Sequence, residues 1–168
     1  KISKEVLNES LKLIKNDKSL FKDDPLRMLR ACRFASQLDF EIDEDTQETI
    51  KKCAFLIKNI SRERWKMEFD KILLSDKPSK GIKYLIDLNL MSFMIPELIS
   101  LKDMEQPKQY HHKDVLNHTL LALEKSEKNL IVRWAALLHD LGKASTRTIE
   151  DGQIHFYKHE IVSSFLAS

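Results

Sequence analysis

The chain has 168 residues, 42% hydrophobic and 32% charged, with 28 Lys and Arg against 26 Asp and Glu for a net charge of +2. Charged residues break every apolar run well short of the roughly 20 residues a bilayer span requires, so a membrane helix is excluded. Three glycines and four prolines are too few turn residues for a β-sandwich or a glycine-rich dinucleotide fold, and the near-balanced charge means that a nucleic-acid partner must be sought in a local basic stripe.

The hydrophobic spacing predicts an all-α chain with one small β-hairpin. Val6, Leu7, Leu11, Leu13 and Ile14 mark an amphipathic helix over 2–15, broken at Asn16-Asp17-Lys18-Ser19. Asp24 as N-cap and Pro25 at the first helical position start a second helix, which runs to about Leu38. A third starts at Asp43-Glu44-Asp45-Thr46 and continues through Ile50, Cys53, Ala54 and Ile57; its acidic start compensates the helix dipole. Ser61 is the expected cap of a helix over Arg62 to Leu74, which Asp76-Lys77-Pro78 stops. Short helices follow over 79–90 and from Ile95-Pro96.

The pattern vanishes between Lys102 and Lys113, which marks a domain boundary. Helices over about 113–125 and 129–141 come next, then a hairpin of 146–149 and 153–156 around Asp151-Gly152, then a helix from near Lys158. Cys32 and Cys53 fall inside helical apolar patterns, which predicts buried free thiols in a reducing, cytoplasmic setting. The start, Lys1-Ile2-Ser3-Lys4, carries no initiator Met, signal-peptide core or transit pattern, as expected of the middle of a longer protein.

Arg27, Arg30 and Arg33 recur at i, i+3 and i+6 and share one flank of the second helix. Two readings fit this spacing: a capped helix with a solvated basic edge, or a face of guanidinium forks that meets phosphates or planar base edges. Asp24 lies within one turn of Arg27 and would set an acceptor beside a fork donor.

The run from Phe21-Lys22-Asp23-Asp24-Pro25-Leu26-Arg27-Met28-Leu29-Arg30 to Leu38, with Phe40, Ile42 and Thr46, resembles the bacterial tRNA nucleotidyltransferases (class II CCA-adding enzymes) and their poly(A) polymerase relatives. Ser61-Arg62-Glu63-Arg64 with Glu68, and Gly81 to Leu98, continue the resemblance. It implies that Asp24 and Arg27 read the base of incoming CTP or ATP, with Asp23 at the preceding acidic position, where many members have Glu. Arg30 and Arg33 would brace the helix or meet phosphate, and Glu63 and Arg64 would steady it from the neighbouring helix. A missing partner in such base readout costs roughly 1–3 kcal/mol. The polymerase head, with a glycine-rich turn and paired carboxylates for Mg, has no counterpart here, because Asp43-Glu44-Asp45 sits at a helix start; the resemblance implies that it lies upstream.

All six histidines, His111, His112, His118, His139, His155 and His159, lie beyond Met104. A lone histidine on an apolar face is usually a core residue, but a His139-Asp140 doublet at a helix end with a second helical His supplies ligands for a borderline divalent metal. Val115 to Thr119, Ala136-Leu137-Leu138-His139-Asp140-Leu141-Gly142-Lys143 and His155 to Glu160 resemble the HD metal-dependent phosphohydrolases, above all the HD domain appended to many CCA-adding enzymes. By position His118, His139 and Asp140 match the metal ligands. His159 is a candidate for a second-sphere or second-metal role, His155 is a weaker one, and His111 and His112 cap a helix or face solvent. Lys143 would meet phosphate or neutralise a helix C-terminus.

The resemblance thus implies residues 1–104 as a helical nucleobase-selecting and RNA-binding region and 105–168 as the first part of an HD domain. It further implies tRNA, ATP and CTP as partners and a divalent metal as cofactor. Poly(A) tailing, a stand-alone HD phosphohydrolase acting on nucleotides or RNA ends, and a non-catalytic RNA-binding module are the alternatives.

Overall fold

A computed structural model describes residues 18–102, 104, 114–151 and 153–167. The expected helix over 2–15 and nearly all of the expected boundary segment fall outside these residues. The described chain is helical apart from one antiparallel hairpin, as the sequence predicts. None of its helices is long and apolar enough to cross a membrane.

The helices are α1 (Lys18–Asp23), α2 (Leu26–Leu38), α3 (Glu44–Cys53), α4 (Arg62–Leu73), α5 (Pro78–Asp87), α6 (Pro96–Ile99), α7 (Val115–Lys125), α8 (Leu130–Leu138), α9 (Lys143–Thr146) and α10 (His159–Leu166), with 3-10 turns at Ala54–Asn59 and Met91–Phe93. Strands β1 (Arg147–Glu150) and β2 (Gln153–Phe156) pair between α9 and α10, with Arg147 opposite Phe156. Asp151 in their turn has a φ of 50°, the left-handed backbone that an Asp-Gly hairpin turn uses.

Several boundaries differ from the sequence expectation. Lys18 and Ser19, where a break was expected, open the short helix α1. Helix α2 begins one residue later than expected, with Pro25 in the cap position; Asp24 still accepts the Leu26 N–H at 3.3 Å. A proline already held at helical φ serves on either side of that border. Beyond Cys53 the expected third helix tightens into a 3-10 turn. Ser61 occupies the cap position of α4, but its side chain makes no capping bond. Pro78 opens α5 instead of closing its predecessor, since a first-turn position leaves its missing N–H without cost. Helix α8 ends at Leu138, so that His139 caps it and 139–142 turn.

One continuous core joins the two sides of the segment at 103–113. Phe21, Met28, Leu29, Phe69, Ile72 and Leu85 from the first side meet Leu120, Leu123, Leu137 and Leu141 from the second. Helices α2, α4 and α5 approach closely at Gly81, where an added Cβ would lie 2.5 Å from Ile72 Cγ2 and 2.9 Å from Ser36 Cβ. Beside it the buried Ser36 hydroxyl donates to Ser75 at 2.8 Å. Cys32 and Cys53 are free and buried, as expected, and burial pushes the Cys32 thiol up.

Polar groups close the seam between the two sides. The buried Arg133 of α8 donates through Nη1 to Leu73 O and, at 2.7 Å, to Ser75 O, which satisfies carbonyls at the end of α4. Phe69 stacks on Trp134 with centroids 4.9 Å apart, and Trp134 Nε1 donates to Asp70 at 2.8 Å. Ser79 at the start of α5 donates its hydroxyl to Leu120 O at 2.7 Å and its amide to Glu124 at 3.2 Å. Arg133→Met should therefore destabilise the fold by about 2–3 kcal/mol by orphaning buried carbonyls. Urea unfolding measures this, and Arg133→Lys should recover part of the loss.

Candidate functional site

Two groups of polar side chains stand out. The first surrounds the start of α2. Asp24, whose side chain is 27% exposed, lies between two guanidinium groups: Arg64 Nη2 is 3.5 Å from Oδ1 and Arg30 Nη1 is 3.7 Å from Oδ2. Both contacts are long, so the carboxylate keeps acceptor capacity. Arg64 reaches it from the first turn of α4. Arg27 follows in the first turn of α2, where its amide donates to Asp24 O at 3.1 Å. Its half-exposed side chain has no hydrogen bond or ion pair among the described residues. Asp23 is exposed.

Arg33, one turn further along, turns inward. Its Nη1 lies 2.9 Å from Glu68 Oε2, with side-chain exposures of 14% and 6%, and Lys71 reaches the other oxygen of Glu68 at 3.2 Å. Arg33 also lies 4.3 Å from the centroid of the Phe34 ring. It therefore braces α2 against α4 instead of offering a free fork. Glu63 forms no ion pair with α2 among the described residues; its exposed carboxyl is held below the usual range by its own backbone amide and the Ser61 side chain.

The second group surrounds Asp140, whose side chain is 2% exposed. Around Oδ2 lie Lys143 Nζ at 2.8 Å, His139 Nε2 at 3.2 Å and His118 Nε2 at 3.9 Å; His159 Nε2 is 3.7 Å from Oδ1. Four segments converge here. Helix α7, capped by Asp114 accepting the Asn117 amide at 2.6 Å, presents His118. The turn after α8 presents His139 and Asp140, α9 presents Lys143, and α10 presents His159. Burial pushes the Asp140 carboxyl up, but hydrogen bonds from His139 and Lys143 outweigh it and bring the pKa to about 2. The Asp140 bond raises His139, whereas burial lowers His118.

Donor atoms of His118, His139 and Asp140 lie within 4.8 Å of one another. The rings are oriented from behind: His139 Nδ1 is 2.9 Å from Ala136 O, and His159 Nδ1 is 2.9 Å from Phe156 O. A carbonyl accepts only from a protonated Nδ1, so each ring is anchored through Nδ1 and it is Nε2 that would give up its proton to serve a metal, the arrangement that metal-binding histidines require. Two imidazoles and a carboxylate, with a third imidazole adjacent, fit a divalent metal of the zinc or transition series. Lys143, expected to meet phosphate or a helix end, is instead buried against Asp140. His155 lies apart, stacked on Tyr157 with centroids 5.2 Å apart, and His111 and His112 are outside the described residues.

Sequence reasoning missed the Arg33–Glu68 pair and the anchoring role of Arg133. Helical spacing placed Arg33 on the flank of Arg27, and only the apolar company of Glu68 on α4, beside Phe69, hinted at burial. Glu68→Ala should cost about 3 kcal/mol, because it leaves the Arg33 charge in the α2–α4 contact with its partner removed. Chemical denaturation of the variant reads this loss.

Residues 39–102 match the family model described as the probable RNA and SrmB-binding site of polymerase A, and residues 109–168 match that of the HD domain. The chain is similar to proteins named Multifunctional CCA protein. Identity is 34% to that of Pseudomonas fluorescens (strain Pf0-1), covering 80% of this chain and 35% of the relative. It is 33% to that of Pasteurella multocida (89% and 38%) and 38% to that of Neisseria meningitidis serogroup A (75% and 32%). The chain thus spans about a third of the length of the curated relatives it matches.

Proposed function

We propose that the chain is a member of the CCA-adding enzyme family, the base-selecting, RNA-binding part of a tRNA nucleotidyltransferase joined to an HD domain. Residues 1–104 take the first role and 105–168 the second, and the nucleotide-adding head lies outside residues 1–168. The partners of the whole enzyme are tRNA, CTP and ATP.

The observation that carries this reading is the mouth of α2, where an accessible carboxylate and an accessible guanidinium start the same helix. Asp24 accepts and Arg27 donates, which is what recognition of the polar edge of a cytosine or adenine needs. Arg64 and Arg30 flank Asp24 and hold it oriented. Arg33 and Glu68 lock α2 to α4, so the pair moves little when the base changes. Asp23 adds acidity at the entrance.

In the HD part, His118, His139 and Asp140 would hold a divalent metal, with His159 beside them. When bound, such an ion supplies Lewis acidity and activates water for attack on phosphoesters. The chain's own contribution is to keep Asp140 ionised, to fix the imidazole tautomers through Ala136 O and Phe156 O, and to hold Lys143 on the carboxylate.

Arg27→Ala in the full-length protein should lower CTP and ATP incorporation and fidelity about tenfold to a hundredfold, equivalent to roughly 1–3 kcal/mol per lost base contact. Binding of tRNA by gel shift should stay unchanged. Unaltered CCA addition with normal fidelity overturns the base-reading role, and tails of adenosine alone favour a poly(A) polymerase. Replacing His139 and Asp140 together by alanine should remove the divalent metal, read by elemental analysis, and leave CCA addition largely intact.

A further inference from the structure

His159 is the one imidazole around Asp140 that approaches Oδ1; His118, His139 and Lys143 all crowd Oδ2. It is also the one carried by α10, which follows the hairpin through Lys158, a non-glycine residue at φ 59°. Its placement depends on how α10 sits against the turn at His139–Gly142.

That seat is narrow. A Cβ added to Gly142 would lie 2.3 Å from His159 O, 2.8 Å from Ser163 N and 2.9 Å from Val162 Cβ, so backbone meets backbone there and only glycine fits. In the same contact the Gly142 amide donates to Ser163 Oγ at 2.8 Å, and Ser163 is 3% exposed. Residues 159 and 163 are four apart and share one face of α10. A hydrogen bond at one end of that turn therefore sets the height and rotation of the imidazole at the other. Gly142 is itself two residues from Asp140, so the seat and the carboxylate move as one piece.

We propose that Ser163 is a positioning residue for the metal centre: its hydroxyl, seated on the Gly142 amide, holds α10 in the register that turns His159 Nε2 toward Asp140 as a further imidazole donor. The proposal rests on the metal-binding reading above. Ser163 does not touch the metal position. It acts through His159, and Gly142 provides the clearance that lets the bond form.

The test is cobalt(II) titration of the full-length protein, followed by its visible absorption, for the parent, Ser163→Ala, His159→Ala and the double variant. Ser163→Ala should weaken cobalt binding about tenfold, in the range of outer-sphere substitutions at metal sites. The double variant should bind no more weakly than His159→Ala alone, because a residue that acts only through the imidazole has nothing left to position. Gly142→Ala should reproduce the loss, and Ser163→Thr, which keeps the hydroxyl, should restore most of it. Should Ser163→Ala unfold, the Ser163→Thr and Gly142→Ala pair carries the comparison. Independent, multiplying effects of the two single variants overturn the proposal, as does unchanged affinity in Ser163→Ala beside a loss in His159→Ala. If the parent and His139→Ala bind cobalt equally poorly, the metal reading itself fails, and the positioning role with it.

Discussion

A charge taken out of water must be met by groups that replace the water, and this requirement sets the geometry of the protein at three places. Arg133 enters the seam only because the carbonyls of Leu73 and Ser75 are there to accept from it. Arg33 turns into the α2–α4 contact only because Glu68 is buried opposite. Asp140 stays ionised because the His139 imidazole and the Lys143 ammonium close on the oxygen they share. Hydrophobic contact brings these helices together, but it is indifferent to register; paired charges are not.

The consequence is a division of labour along α2. Asp24 and Arg27 stand at the open start of the helix and Arg33 lies in its closed contact with α4, so that under the proposed function one flank serves recognition and then attachment. The two groups need opposite surroundings. Arg27 has no side-chain partner among the described residues and stays half exposed, while Arg33 is held from two directions. A base-reading pair gains from such a mount, because discrimination between base edges fails when the reading groups can shift to suit either.

Local chemistry was legible in the sequence. Asp43 caps α3 by accepting the Thr46 amide at 3.1 Å, and Asn129 caps α8 at the amides of Ile131 and Val132, each within three residues of its partner. The hairpin around Asp151 was legible for the same reason. His118, His139, Asp140 and His159 were legible as residue types, and the structure brings all four together. What the sequence concealed is long-range and polar. Arg133 meets carbonyls some 60 positions away, and Trp134 meets Asp70 across 64. Periodicity says which face of a helix is apolar, not which charge will be buried with it, so it set Arg33 on the flank of Arg27 without choosing between bracing the helix and meeting phosphate. Lys143 is the local exception: it pairs with Asp140 only three residues away, a contact that helical spacing allows and that burial makes close.

The chain has two tryptophans, and both belong to the aromatic stack at the seam: Trp65 lies edge-on to Phe69 at 6.1 Å, and Trp134 lies face to face with it at 4.9 Å. Lys66 Nζ hovers 5.7 Å from the Trp134 ring. Intrinsic fluorescence in this protein is therefore an optical gauge of a single joint. Separation of the α8 side from the α4 side would wet the Trp134 indole and shift its emission to longer wavelength while the helices, and their far-ultraviolet dichroism, stayed whole.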